Sequence, residues 1–265
     1  MRSDFDKPLA VVTGASSGIG YELAKQFAMH GFDLIVAAED SAIEDIRPAL
    51  EALGANVEAV QVDLSSYIET ESFAADLNAL GLPISALAVN AGVGVCGEFA
   101  RTTDLDAELG LIRLNVQSLV HLTKRLVTGM VARGDGRILF TSSLAATSPG
   151  PYLAVYAASK AFVQSFAEAL RYELKDTGVT VTSLMPGATD TKFFQRANME
   201  NTKVGQGPKD DPADVAEEGF AALIAGKDHV VTGLKNKVQG TLSKVLPETF
   251  TASMQAAQTR PGSGL

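Results

Sequence analysis

The sequence predicts an α/β fold, a doubly wound parallel sheet of about seven strands in a single domain covering residues 1–265. Three observations carry this expectation. Short apolar runs alternate with helical stretches along most of the chain, a glycine-rich turn stands between the first such run and the first helix, and no linker, repeat or low-complexity block intervenes. With 46% of its 265 residues hydrophobic, the chain is long enough to bury one large core.

Residues 9–13 are an apolar run that leads into Gly14-Ala15-Ser16-Ser17-Gly18-Ile19-Gly20, and residues 19–30 carry helical spacing with Gly31 as a stop. Strand, glycine turn and helix in this order let backbone amides approach a diphosphate at a helix N-terminus. Gly14, Gly18 and Gly20 are therefore candidate dinucleotide-binding residues, with Ser16, Ser17 and Ile19 lining the turn. Residues 33–37 read as the second strand, leaving through Ala38-Glu39-Asp40-Ser41; a helix is expected over 41–53 and a β-rich run over 56–62, followed by Asp63-Leu64. A third helix follows over 68–80, and residues 86–90 form a fourth strand that ends in Asn90-Ala91-Gly92-Val93-Gly94, whose small residues keep a channel open. Residues 111–131 form a long helical pattern with Asn115 about one turn in. The fifth strand, 137–141, delivers Ser142 and Ser143 at its C-terminal end, where open α/β sheets place ligands.

Tyr156 and Lys160 stand at i and i+4 of a segment that continues as helix over 162–174, so both side chains project from one face. A free tyrosine titrates near ~10, and an ammonium within about 4–6 Å favours its phenolate. A lowering of roughly three units takes about 4 kcal/mol, which Lys160 together with a bound cofactor's charge can provide, making Tyr156 a usable general acid/base. The sixth strand, 179–185, leads to Pro186-Gly187-Ala188-Thr189-Asp190-Thr191, where proline and glycine force a turn. Residues 192–211 lose periodicity and are expected to form a substrate lid, with Phe193, Phe194 and Met199 closing over an apolar ligand or simply anchoring a loop. Pro212 opens a helix, 229–232 is the seventh strand, 235–258 is weakly helical, and 1–7 and 259–265 are expected to be disordered tails.

The net charge of −9 argues against nucleic acid, whose phosphates demand clustered cations. No signal segment or membrane-length apolar run is read, so the cytoplasm is expected. Cys96 is the single cysteine and suits a buried thiol, and His30, His121 and His229 lack metal-ligand spacing, so no metal is expected.

Taken jointly, the glycine turn, Asn90-Ala91-Gly92, Asn115, Ser143, Tyr156-x-x-x-Lys160 and Pro186-Gly187 resemble the short-chain dehydrogenase/reductases over about residues 8–232. The resemblance implies a single-domain Rossmann fold and reversible hydride transfer between a nicotinamide cofactor and a secondary alcohol or ketone. It implies that Tyr156 moves the proton, Lys160 lowers its pKa and holds the nicotinamide ribose, Ser143 orients the substrate oxygen, and Asn115 maintains a water-linked proton relay. Asp63 and Leu64 match the adenine contact, although Asp63 equally suits a turn or helix cap; Thr191 matches the carboxamide-binding threonine and Thr189 a backbone contact. Val89 departs from the asparagine frequent there in the family.

An NADP-binding member typically has arginine where Glu39 stands, and a strictly NAD-binding one aspartate where Ala38 stands. With no basic residue at Ser17 or Glu39, NAD is expected through Glu39 or Asp40, and NADP is the alternative. Val93, Val95, Phe193 and Phe194 point to an apolar or amphipathic small-molecule substrate. An NADPH-dependent β-ketoacyl thioester or carbonyl reductase is the rival reading, and a non-catalytic nucleotide sensor a further one. Relatives usually pair as homodimers or homotetramers, which leaves Val163, Phe166, Leu170 and Leu174 as either interface or core.

Overall fold

The computed structural model describes residues 5–233, 236 and 246–264. Seven parallel strands are β1 (Leu9–Thr13), β2 (Asp33–Ala38), β3 (Val57–Gln61), β4 (Ile84–Val89), β5 (Gly136–Thr141), β6 (Val179–Met185) and β7 (His229–Val231), in the spatial order β3-β2-β1-β4-β5-β6-β7. The order reverses between β1 and β4, which opens a crevice at the carboxyl ends of those strands.

The strands are nearly continuous apolar runs because both faces are covered. Alternate residues enter opposite layers. Val11, Ile35, Leu87 and Phe140 join Phe73 of α4 (Tyr67–Ala79), Leu122 of α6 (Ser118–Arg133) and Val163 of α7 (Ala154–Glu173). Val12, Val36, Ala88 and Leu139 meet Leu23 and Phe27 of α1 (Gly18–Met29) and Phe220 of α10 (Pro212–Ile224). Each fully buried Leu or Phe contributes about 1.5–3 kcal/mol relative to its exposed state. Val163 and Leu174 are core residues, and Phe166 and Leu170 are partly buried residues packed against that core.

Several expected elements are re-drawn. The helix expected over 41–53 is two short ones, α2 (Ala42–Asp45) and α3 (Arg47–Glu51), the second carrying Pro48 in its first turn. The helix expected over 111–131 begins earlier, as α5 (Leu105–Ile112), passes through a π-helical turn at Arg113–Gln117, and resumes as α6. Asp104 caps α5 by accepting from Ala107 N, a start signal that precedes the apolar spacing. Residues 192–211 contain α8 (Phe193–Arg196) and α9 (Lys203–Gln206), and a bridge joins Thr189 to Asp210. Of the weak helix expected over 235–258, residues 235 and 237–245 lie outside the described residues; the remainder yields α11 (Glu248–Thr259).

The expected tails, 1–7 and 259–265, also differ where they are described; residues 1–4 and 265 lie outside the described residues. Asp6 N and Lys7 N donate to Asp33 Oδ2, fixing the chain before β1. At the other end Thr259 Oγ1 donates to Pro151 O at 2.7 Å, Lys203 N donates to Ser263 Oγ, and Gly264 N donates to Asn201 O, so 259–264 packs against the loop before α7 and against residues 201–203. Among the described residues no helix is long and apolar enough to cross a membrane.

Candidate active site

The carboxyl ends of the strands frame a cavity of ≈ 920 Å³. Its floor is the glycine turn. Gly14 and Gly18 have φ of +67° and +59°, which side chains resist, and a Cβ on Gly20 would lie 2.2 Å from Gly14 O. Gly14, Ser16, Ser17, Gly18 and Ile19 line the cavity, whereas Gly20, expected among the dinucleotide-binding residues, lies outside its lining and packs behind the turn against Gly14 and Asn90. Thr13 Oγ1 accepts from both Asn90 N and Ala91 N, and Asn90 Nδ2 donates to Thr13 O while its Oδ1 accepts from Thr141 Oγ1 at 3.0 Å. One threonine and one asparagine thereby join β1, β4 and β5 at the crevice.

Glu39, Asp63, Leu64, Asn90, Ala91, Gly92, Pro186, Gly187, Thr189 and Thr191 also line the cavity. Asp63 has its turn role as well, since Oδ1 accepts from Ser65 N at 2.8 Å. Thr191 lies over the turn, its Cγ2 2.9 Å from where a Cβ of Gly18 would stand.

Ser143, Tyr156 and Lys160 meet at one end of this cavity, delivered by the C-terminus of β5 and the first two turns of α7. Burial pushes the Tyr156 hydroxyl up to about 12, opposed by its hydrogen bond with Ser143. Burial pushes Lys160 down to about 8, and its Nζ donates to Thr141 O at 2.8 Å, 5.9 Å from the centre of the Tyr156 ring. In the protein alone burial holds the Tyr156 hydroxyl up; the lowering expected from Lys160 together with a bound cofactor's charge concerns the loaded site.

Asn115 does not face the cavity. It sits in the π-helical turn, where Nδ2 donates to Val93 O and to Ser159 Oγ at 3.1 Å, and Ser159 Oγ donates to Tyr156 O at 2.7 Å. A Cβ on Gly92 would stand 3.2 Å from both Asn115 Oδ1 and Lys160 Nζ, so glycine keeps those two groups in reach of one another.

Above Tyr156, the Phe193 ring lies 5.1 Å away, centre to centre, and packs edge-on against Phe194. Leu111, Leu153, Phe194, Ala197 and Met199 form a third apolar cluster with Tyr156, flanked by Val93, Val95 and Cys96. Burial raises the Cys96 thiol to about 11, as suits an inert packed thiol.

A dinucleotide fits these residues: the turn keeps glycine at three positions where a Cβ would clash with neighbouring chain, and polar groups are spread along the channel. The short chain dehydrogenase family profile matches residues 8–202, well over half the chain. The chain belongs to the short-chain dehydrogenase/reductase family. It is 29% identical over 266 aligned positions to oxidoreductase UcpA of Salmonella typhimurium, covering 92% of this chain and 97% of the relative. Among solved structures it resembles a short-chain dehydrogenase from Sphingobium yanoikuyae in complex with NADPH, with 27% identity, a TM-score of 0.80, and coverage of 90% and 96% of the two chains. A short chain dehydrogenase/reductase from Burkholderia phymatum in complex with NAD gives 25% identity, a TM-score of 0.80, and coverage of 91% and 94%.

For a short-chain dehydrogenase, two groups of cavity residues escaped sequence reasoning. Thr251, Met254, Gln255 and Gln258 of α11 line one wall, on a helix whose apolar spacing is weak. Lys192 and Arg196 of the 192–211 segment line another, and their only sequence signal was basic character inside an aperiodic stretch. Glu168, Asp228 and His229 bring ligand-type atoms within 4.8 Å of one another at the amino end of β7, away from the cavity, with His229 Nδ1 3.2 Å from Asp228 Oδ2.

Proposed function

We propose that the protein interconverts an apolar or amphipathic ketone and its secondary alcohol, using NAD(H) or NADP(H), with Ser143, Tyr156 and Lys160 as catalytic residues. The observation that carries this reading is the convergence of those three side chains at one end of a dinucleotide-shaped channel. The likeness to structures holding NADPH and NAD supports the choice of cofactor class.

When bound, the nicotinamide supplies or accepts the hydride. Ser143 donates to the substrate oxygen and fixes it beside Tyr156, which protonates it in reduction and takes the proton back in oxidation. Lys160 places positive charge near the developing phenolate, and Asn115 positions α7 through Ser159 and Tyr156 O. A tyrosine that burial keeps protonated suits carbonyl reduction near neutral pH, which favours the reductase direction. Residues 192–211 act as the substrate lid, with Phe193 against the catalytic ring. Homo-oligomer assembly is part of the proposal, through the exposed side of α7 at Phe162.

The test is turnover of a panel of aliphatic and aromatic ketones with NADH and with NADPH, beside Tyr156→Phe. Loss of about 10²–10⁴ in kcat is expected for the variant. Wild-type turnover by Tyr156→Phe, or turnover restricted to small charged ketones, would refute the assignment.

A further inference from the structure

The exit of β2 offers Glu39 and Asp40 but no cation, and the glycine turn offers only serines. Three basic side chains line the cavity among the described residues: Lys160, Lys192 and Arg196. Lys160 is engaged with Thr141 O at the catalytic end. Arg196 is different, because the lid folds it back across 156 residues of chain so that Nη2 lies 3.4 Å from Asp40 Oδ2. The same carboxylate oxygen accepts from Ser16 Oγ at 2.9 Å. Lid, glycine turn and β2 exit therefore meet at one point.

We propose that Arg196 is the specificity-determining residue for the adenosine ribose, supplying the 2′-phosphate of NADP(H) with the cation that the β2 exit and the glycine turn lack. This rests on the dinucleotide reading above. Asp40 and Arg196 are each more than a third exposed, so their mutual attraction is weak and a phosphate can displace the carboxylate. The planar guanidinium matches phosphate geometry in a way that an ammonium does not. With a 2′-hydroxyl, Asp40 is free to accept from the ribose while retaining its arginine partner. The pair thus admits both cofactors, and its balance sets their ratio. Sequence reasoning searched for this cation only at Ser17 and Glu39 and so expected NAD.

Binding of NADPH and NADH is measured separately by nicotinamide fluorescence and calorimetry for the wild type, Arg196→Gln, Arg196→Lys and Asp40→Asn. Arg196→Gln is expected to weaken NADPH about tenfold or more and NADH by less than about threefold. Arg196→Lys is expected to recover part of the NADPH affinity, and Asp40→Asn to shift the ratio towards NADPH. Equal loss for both dinucleotides, or no loss, overturns the inference and leaves the dehydrogenase reading intact, as does a wild type that binds NADH alone. A wild type that binds neither refutes both.

Discussion

Asn115 and Val93 are joined twice: Val93 N donates to Asn115 Oδ1 at 3.0 Å and Asn115 Nδ2 donates back to Val93 O at 2.9 Å. The loop after β4 is thus fixed to the π-helical turn by one side chain, which also reaches Ser159, itself bonded to Tyr156 O. Asn115→Ala leaves a part-buried backbone amide and carbonyl unpaired and should cost about 1–3 kcal/mol in urea unfolding. Its kcat should fall further than its dinucleotide affinity, because the loss is felt at α7. Unchanged kcat with lowered stability would reduce Asn115 to a packing role.

The pH dependence follows from the buried tyrosine. Reduction needs Tyr156 protonated, and with its hydroxyl pushed up to about 12 that form persists across neutral pH. The reduction rate should therefore be flat there while the oxidation rate climbs with pH. Ser143→Ala removes the hydrogen bond that opposes the shift, so the rise in oxidation should move to higher pH. Rate profiles in both directions for the two proteins check this.

Lys160 should weaken the fold that it serves. Its ordinary value of 10.5 falls to about 8 on burial, so the folded state binds its proton less tightly than the unfolded chain. The resulting penalty is complete below pH 8, shrinks as pH rises from there, and is gone above 10.5. Lys160→Met should abolish turnover yet raise stability near pH 7 by up to about 3 kcal/mol, with the advantage closing towards pH ~10. Denaturant melts at both pH values measure it; a variant less stable at each would contradict the argument.

Asp33 anchors the start of β2. Burial raises its carboxyl, but amides of Asn56, Lys7 and Asp6 hold it below the ordinary value of 3.8. Asp33→Ala should cost about 2–4 kcal/mol at neutral pH. Because the group is depressed in the fold, its contribution is present above 3.8 and is lost as pH falls through the folded value. Wild type and variant should converge in acid, which thermal melts across that range would show.

The lid prediction is steric. A Cβ on Gly94 would lie 2.6 Å from the Phe193 ring, so Gly94→Ala should displace that ring from Tyr156. KM for apolar ketones should rise by several-fold with NADH binding little changed. The reverse pattern would place Phe193 against the cofactor instead.

Much of this was legible because it depends on local pattern. Residues 9–13 and 179–185 are strands buried on both faces, which unbroken apolar runs report, and both bounds agree with β1 and β6. The cavity residues from the glycine turn and from Asn90 to Gly92 were visible because each needs glycine or a small side chain where backbones approach closely. What escaped depends on distance in sequence. No local pattern tells that Arg196 reaches Asp40, or that Ser263 lies on α9. The shifted pKa values escaped for a related reason, since a sequence shows the Tyr156 and Lys160 pairing but not how much water each loses.

The reversal of strand order has a kinetic corollary. β1 lies between β2, its neighbour in sequence, and β4, which begins at Ile84, and Lys160 arrives later still. A partly assembled chain holding only β1 to β3 would present the glycine turn without Asn90, Ser143 or Tyr156. Dinucleotide recognises the completed crevice, so adding it to refolding protein should slow unfolding while leaving the folding rate unchanged.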